Sequence, residues 1–191
     1  MTSDEALMLE FQGGSRAAFE ELFARYRKQL YGFFGRRLNN PERAEDLAQE
    51  TFLAVIRAAS RYEPRASVRT YLYGIALKLL AAERRKFLTS STPGQSAPES
   101  KSDGIAECVL WVRQAMEKLD APEREILMLR EYEQLSYYDI AELLRIPVNT
   151  VRSRLFRARL TLKSYLESEA KSNPALRASA RQPHPGRRGM Q

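Results

Sequence analysis

Histidine is almost missing from this 191-residue chain, which has only His184, near its C-terminal end. Without a second imidazole, neither a histidine metal site nor His-based acid–base chemistry has a framework, so no metal and no other cofactor is expected. Cysteine is equally scarce: Cys108 alone excludes an intramolecular disulfide and suits a reducing compartment. There is no run of 18 apolar residues, so no membrane insertion is expected. The opening MTSDEALM is acidic where a signal peptide would be basic, which points to the cytoplasm. No strand-like alternation of useful length, internal repeat, glycine-rich phosphate loop or activated nucleophile occurs. The expected fold class is therefore all-α, with no enzymatic activity and no small-molecule substrate.

What is present is helix after helix, with a formal charge of +7 and a sequence pI of about 9.7 that favour a polyanionic partner. Ser3 caps a short helix that Gly13-Gly14 stops, and Ser15 caps the next. That second helix carries Phe19, Leu22, Phe23, Tyr26, Leu30, Phe33 and Phe34 at spacings of three and four. Asn40-Pro41 starts a third helix ending near Ser60. After the loop RYEPRAS, Ser67 caps a fourth. From Thr89 to Gly104 the composition turns to Ser, Thr, Pro and Gly, which reads as a flexible linker reaching about 50 Å at most. Two small helical domains follow from this, residues 1–88 and 105–168, the second carrying a helix to Leu119 and another capped by Asp120. Residues 169–191 read as a basic disordered tail.

The most telling stretch runs from Leu135 to Leu166. Ser136 and Asp139 form a capping signal, Arg145-Ile146 make a very short turn, and Pro147 begins a second helix. At 100° per residue, Val148, Val151, Leu155, Ala158 and Leu162 share the inward face. Asn149, Ser153, Phe156, Arg157 and Leu160 lie opposite, flanked by Arg152 and Lys163. Asn149 to Lys163 holds five basic residues and no acidic one, whereas a merely solvated helix mixes charge signs and hides its phenylalanine. Such a face suits base edges and phosphates in a major groove. In the third helix, Ala44, Leu47, Ala48, Thr51 and Val55 share the core side. Asp46, Gln49, Glu50 and Leu53 lie opposite, either as a solvated acidic face or as a docking surface for another protein.

Three stretches carry a family resemblance. AEDLAQETFLAVIRA resembles the polymerase-gripping helix of region 2 in the extracytoplasmic-function group of bacterial sigma-70-type factors. RTYLYGIALKLLAAERR is similar to that family's −10-reading helix, and LSYYDIAELLRIPVNTVRSRLFRARLTL to its region-4 reader of the −35 element. The resemblance implies a sigma factor that binds core RNA polymerase, recognises promoter DNA, assists its opening, and is held inactive by an anti-sigma factor. It implies polymerase docking through Asp46, Gln49, Glu50 and Leu53. It implies −10 contacts from Tyr62, Arg65, Ser67, Tyr71, Tyr73 and Lys78, with the Tyr62–Ser67 loop holding an unstacked base. Tyr71 and Tyr73 sit two apart on a helix, so only one of them is expected to stack on bases. The −35 contacts implied are Asn149, Thr150, Arg152, Ser153, Phe156 and Arg157.

The chain departs from the family pattern at Tyr71, Gly74, Lys78, Arg145 and Asn149. Arg145 occupies a turn position where glycine is usual, so modest strain is expected. Two rivals are a receiver-bearing regulator with a helix-turn-helix and a polymerase-binding adaptor without sigma activity. The first would need an α/β domain where this chain is helical; the second leaves the basic face without a purpose.

Overall fold

Each early helix begins where a side-chain oxygen receives one of its free amides. The computed structural model describes residues 2–38, 40–90 and 104–172. Ser3 accepts from the Ala6 amide to open α1 (Asp4–Gln12), and Ser15 accepts from Ala18 to open α2 (Arg16–Gly35). Between them Gly14, at φ +100°, supplies a backbone conformation that a side chain would strain. Asn40 accepts from Arg43, and Pro41 leads α3 (Pro41–Ala58), which tightens into a 3-10 turn over Ala59–Arg61. Ser67 accepts from Thr70 at 3.1 Å at the head of α4 (Val68–Ser90). Then come α5 (Gly104–Glu117), α6 (Ala121–Glu131), α7 (Tyr137–Leu144) and α8 (Val148–Ser172). At α7 the capping box is complete, with Ser136 and Asp139 each bonding the other's backbone. Among the described residues there is no strand, so the all-α expectation holds and no receiver domain precedes the helix pair.

The segments between and after the helices are shorter than the composition suggests. Helix α4 extends to Ser90 and α5 starts at Gly104, so both edges of the expected linker are helical and 91–103 fall outside the described residues. Helix α8 runs four residues into the expected tail, to Ser172, and 173–191 fall outside the described residues.

The helices group into two compact units that do not follow chain order. The first combines α1–α4 with residues 129–148. Its core takes Tyr26, Leu30, Phe33 and Phe34 from α2, Ala44, Leu47 and Val55 from α3, and Leu72 and Leu80 from α4. The aromatic density of α2 comes from the three- and four-residue spacing that stacks its large side chains on one stripe. Thr51 enters the same core because its hydroxyl donates to the Leu47 carbonyl at 2.8 Å, one turn back. The second unit combines α5, α6 as far as Met128, and α8 from Asn149. It buries Ala115, Leu119 and Ile126 along with Val151, Leu155 and Ala158.

The strained turn expected at Arg145 is present. Arg145 adopts φ 53° and ψ 47°, and the next amide, Ile146, closes back on the Ala141 carbonyl at 3.0 Å. A left-handed conformation costs a side-chain-bearing residue about 1–2 kcal/mol, part of which glycine would give back through its freer unfolded chain. Arg145→Gly is therefore expected to stabilise the protein by about 0.5–1 kcal/mol. A urea midpoint unchanged or lowered in that variant would mean that the arginine side chain offsets the backbone cost.

Candidate nucleic-acid and protein interfaces

Helix α8 is amphipathic in the sense its sequence requires. Val151, Leu155 and Ala158 are buried, while Phe156 is 64% exposed and Leu160 50%. Asn149, Arg152, Ser153 and Arg157 are also exposed, and Thr150 is half-buried. Arg152 donates to the Asn149 side-chain oxygen at 3.3 Å, and the Ser153 hydroxyl donates to the Thr150 carbonyl at 3.1 Å. With its proton engaged there, Ser153 offers an incoming group mainly lone pairs. Glu123, at the start of α6, pairs with Nε of Arg157 at 3.0 Å and steers that guanidinium. No local pattern pointed to this partner, because the two residues are brought together only by folding. The face as built offers cations, hydrogen-bonding groups and one large apolar ring, which are the elements of groove binding.

The loop before α4 is arranged differently from the expectation of exposed aromatics. Tyr62 is only 5% exposed, and among the described residues its hydroxyl has no hydrogen-bond partner. Its ring meets that of Tyr71 edge-on, with centroids 5.2 Å apart. Tyr71 is half-buried, and burial pushes both phenols above their ordinary pKa. Arg65 is exposed and pairs with Glu63, Ser67 is engaged as the cap of α4, and Lys78 is exposed. Tyr73 is a core residue, 1% exposed, and donates to Glu133 at 3.1 Å. In this arrangement Tyr73 does not face a nucleic acid; of the two helix tyrosines, Tyr71 is the accessible one.

Around Tyr73 lies a polar cluster that no local pattern announced. Glu133 takes Arg36 on both carboxylate oxygens, at 2.9 and 3.0 Å, and Arg37 at 3.2 Å. The side chains of Arg37 and Glu133 are each 1% exposed, and the Arg37 guanidinium also lies 3.8 Å from the Phe33 ring centroid. Nearby, Thr70 donates to Asp139 at 2.6 Å. Burial works against the Asp139 carboxylate, yet bonds from Ser136 and Thr70 hold its pKa below the usual range. Gly74 makes room here, since a Cβ on it would stand 3.3 Å from Leu143 of α7.

The third candidate surface is the outer face of α3. Asp46, Gln49 and Leu53 are exposed, Glu50 is half-buried, and Ile56 extends the apolar part of the face. Arg43 anchors it from one turn earlier. Its guanidinium makes two 2.8 Å bonds to the buried Glu83 of α4, and reaches Glu50 at 3.0 Å and Asp46 at 3.5 Å. Arg43 thereby ties the exposed Asp46 and the half-buried Glu50 to α4 through Glu83. Among the described residues no group of histidine, cysteine or carboxylate side chains is arranged to hold a metal, and no helix is long and apolar enough to cross a membrane.

Comparison with known proteins bears on all three surfaces. Residues 22–86 match the family model for Sigma-70 region 2, and residues 110–162 match that for Sigma-70, region 4. The RNA polymerase sigma-H factor of Pseudomonas aeruginosa is 32% identical, over 86% of this chain and 94% of that protein. The ECF RNA polymerase sigma-E factor of Haemophilus influenzae is 30% identical, over 86% of this chain and 96% of its own length. A solved structure of CnrH in complex with the cytosolic domain of CnrY is similar in fold, with a TM-score of 0.67 at 24% identity, covering 87% of this chain and 99% of that one.

Proposed function

The chain belongs to the sigma-70 family of RNA polymerase sigma factors, in its extracytoplasmic-function group, and from that premise we propose how its surfaces divide the work. As a sigma factor it binds core RNA polymerase and directs it to promoters by recognising DNA. We assign polymerase docking and the −10 element to residues 1–88 and the −35 element to residues 105–168, joined through 89–104. This division is supported by the separate region-2 and region-4 matches. Its role is recognition, not chemistry of its own, exercised in the cytoplasm where the polymerase is. An anti-sigma factor is the expected regulatory partner, in keeping with the complexes that similar folds form.

The observation that carries the −35 assignment is the outward face of α8, which from Asn149 to Lys163 has basic but no acidic residues and presents Phe156 to solvent. Asn149, Thr150, Arg152, Ser153, Phe156 and Arg157 are the contacts assigned to it. For the −10 element the contacts are the 62–67 loop with Tyr62, Arg65 and Ser67, then Tyr71 and Lys78; Tyr73 would serve only after leaving its place against Glu133. Purified protein added to core polymerase should produce transcripts from a discrete set of genomic promoters that share two elements. Transcription starting without such a shared sequence would support the adaptor alternative instead.

For docking we assign Asp46, Gln49, Glu50 and Leu53. Leu53 is 47% exposed, so Leu53→Glu disturbs little of the core. It should weaken polymerase binding by about 1–3 kcal/mol, the ordinary loss for a central contact. Asp46→Lys should act in the same direction, with the thermal midpoint nearly unchanged. Two variants that bind polymerase as the parent does would leave the acidic face merely solvated.

A further inference from the structure

Helix α1 lies ahead of the stretch matched by the region-2 family model, which begins at residue 22. It is nonetheless tied to both ends of the loop assigned to the −10 element. At the first end, the Gln12 carboxamide donates to the Tyr62 carbonyl at 3.1 Å and to the Ser60 carbonyl at 3.4 Å. At the other end, Glu5 accepts from the Val68 amide at 3.2 Å, one of the donors that α4 leaves without a helical partner. Glu5 and Gln12 are seven residues apart, two helical turns, so both lie on the side of α1 that faces the loop.

Within the loop itself, Ser67 is held as the cap of α4, Arg65 pairs with Glu63, and the Tyr62 ring is buried against Tyr71. The loop's internal backbone bonds are Tyr62 to Ala59 at 3.1 Å and the tight Arg65 to Glu63 contact at 2.7 Å. Helix α1 is itself well anchored. Leu7 and Met8 are buried, Asp4 pairs with Arg25 at 2.6 Å, and Asp4 also accepts from the Tyr26 hydroxyl. Because the Gln12 bond ends on the Tyr62 carbonyl, it holds the backbone that carries the ring packed against Tyr71. The Tyr62 hydroxyl is the one buried side-chain polar atom without a partner among the described residues. An unpaired buried hydroxyl beside a half-exposed ring is a place where a polar ligand gains from entering.

We propose that α1 is a strap for the loop, and that Gln12 and Glu5 are positioning residues that set base preference in the −10 element without touching DNA. This rests on the assignment of the 62–67 loop as the holder of an unstacked base. A strap that fixes loop shape contributes to discrimination between bases more than to overall affinity, since phosphate contacts made elsewhere are unaffected.

The test uses the full chain bound to core polymerase and single-stranded −10 oligonucleotides carrying each base at each position. Gln12→Glu keeps the size of the side chain but has no donor, and sets a carboxylate against two carbonyl oxygens. Gln12→Glu and Glu5→Ala should each lower discrimination at one position about fivefold, of the order of the net worth of a hydrogen bond. Glu5→Gln retains an acceptor oxygen and should discriminate like the parent, while polymerase affinity and −35 duplex binding stay level in all three. Arg65→Ala, within the loop, serves as the control. If it abolishes the preference and the α1 variants do not alter it, the strap is wrong and the loop assignment stands. If neither it nor the parent shows any loop-dependent preference, the loop assignment fails and the strap with it. If Glu5→Gln loses discrimination and polymerase affinity together with the others, α1 is only part of the fold and the proposal is overturned.

Discussion

Arg43→Ala is expected to destabilise the first unit by about 3 kcal/mol, the order of loss seen when one partner of a buried ion pair is removed. The side chain of Glu83 is only 8% exposed, and the two bonds from Arg43 compensate its desolvation. Without them a carboxylate stands in the core against α3. The pH dependence identifies the cause. Hydrogen bonding to Arg43 holds the Glu83 carboxyl below the usual glutamate range in the folded state. A depressed carboxylate contributes stability above its unfolded pKa and loses it as pH falls through the folded one. The parent should therefore keep this contribution at neutral pH and lose it in the acid range below about 4.5. In the variant Glu83 keeps only the exposed Lys86 ammonium, 3.9 Å away, so protonating it relieves the penalty and the gap between the two proteins should narrow on acidification. Urea titrations at pH 7 and pH 4 measure it, and a gap that is constant with pH would assign the loss to packing of the arginine stem. Polymerase affinity should fall as well, because Arg43 also fixes Glu50 and Asp46 beside Leu53.

The second large effect concerns α8. Arg152→Ala or Arg157→Ala should cost about 1–3 kcal/mol in −35 duplex binding if the side chain reads a guanine edge, with preference relaxed at a single position. A phosphate contact predicts another outcome: all sequences weaken alike, and the slope of log affinity against log salt falls by about one. Phe156→Ala should lose apolar contact with little change in salt dependence. Glu123 adds a handle specific to this protein, since it pairs with Arg157 from α6. Glu123→Gln removes a negative charge from beside the groove-facing arginine and should raise affinity for all duplexes while loosening base preference. If the three α8 variants bind every duplex as the parent does, that face is not the reader.

The parts of this structure legible in the sequence were those in which one helix decides its own geometry. Caps at Ser3, Ser15, Asn40, Ser67 and Ser136 were readable because a short polar side chain and the amide it accepts are near neighbours in the chain. The faces of α3 and α8 were readable because one turn repeats every 3.6 residues. Tyr71 and Tyr73 show where such inference stops. Their two-residue spacing required different directions, but only the fold shows that Tyr73 is the buried one. Arg43 and Glu83 are 40 residues apart, and Arg36 and Glu133 are 97 apart. No periodicity encodes a contact at such separations. The conformation at Arg145 was anticipated only because the family's usual residue there is glycine.

The cluster around Glu133 has a consequence for how residues 129–148 are retained in the first unit. Taking the Glu133 carboxylate and the Arg37 guanidinium out of water offsets most of what they gain from each other and from the partly exposed Arg36, so such a cluster adds little net adhesion. It is demanding about direction, however, because two guanidinium groups and a phenol must converge on one carboxylate. The cluster thus acts as a locating pin more than as glue: it determines where the segment sits while contributing little to how firmly it is held. Charged groups are rehydrated on separation, so pulling the pin would not leave a sticky surface at this point.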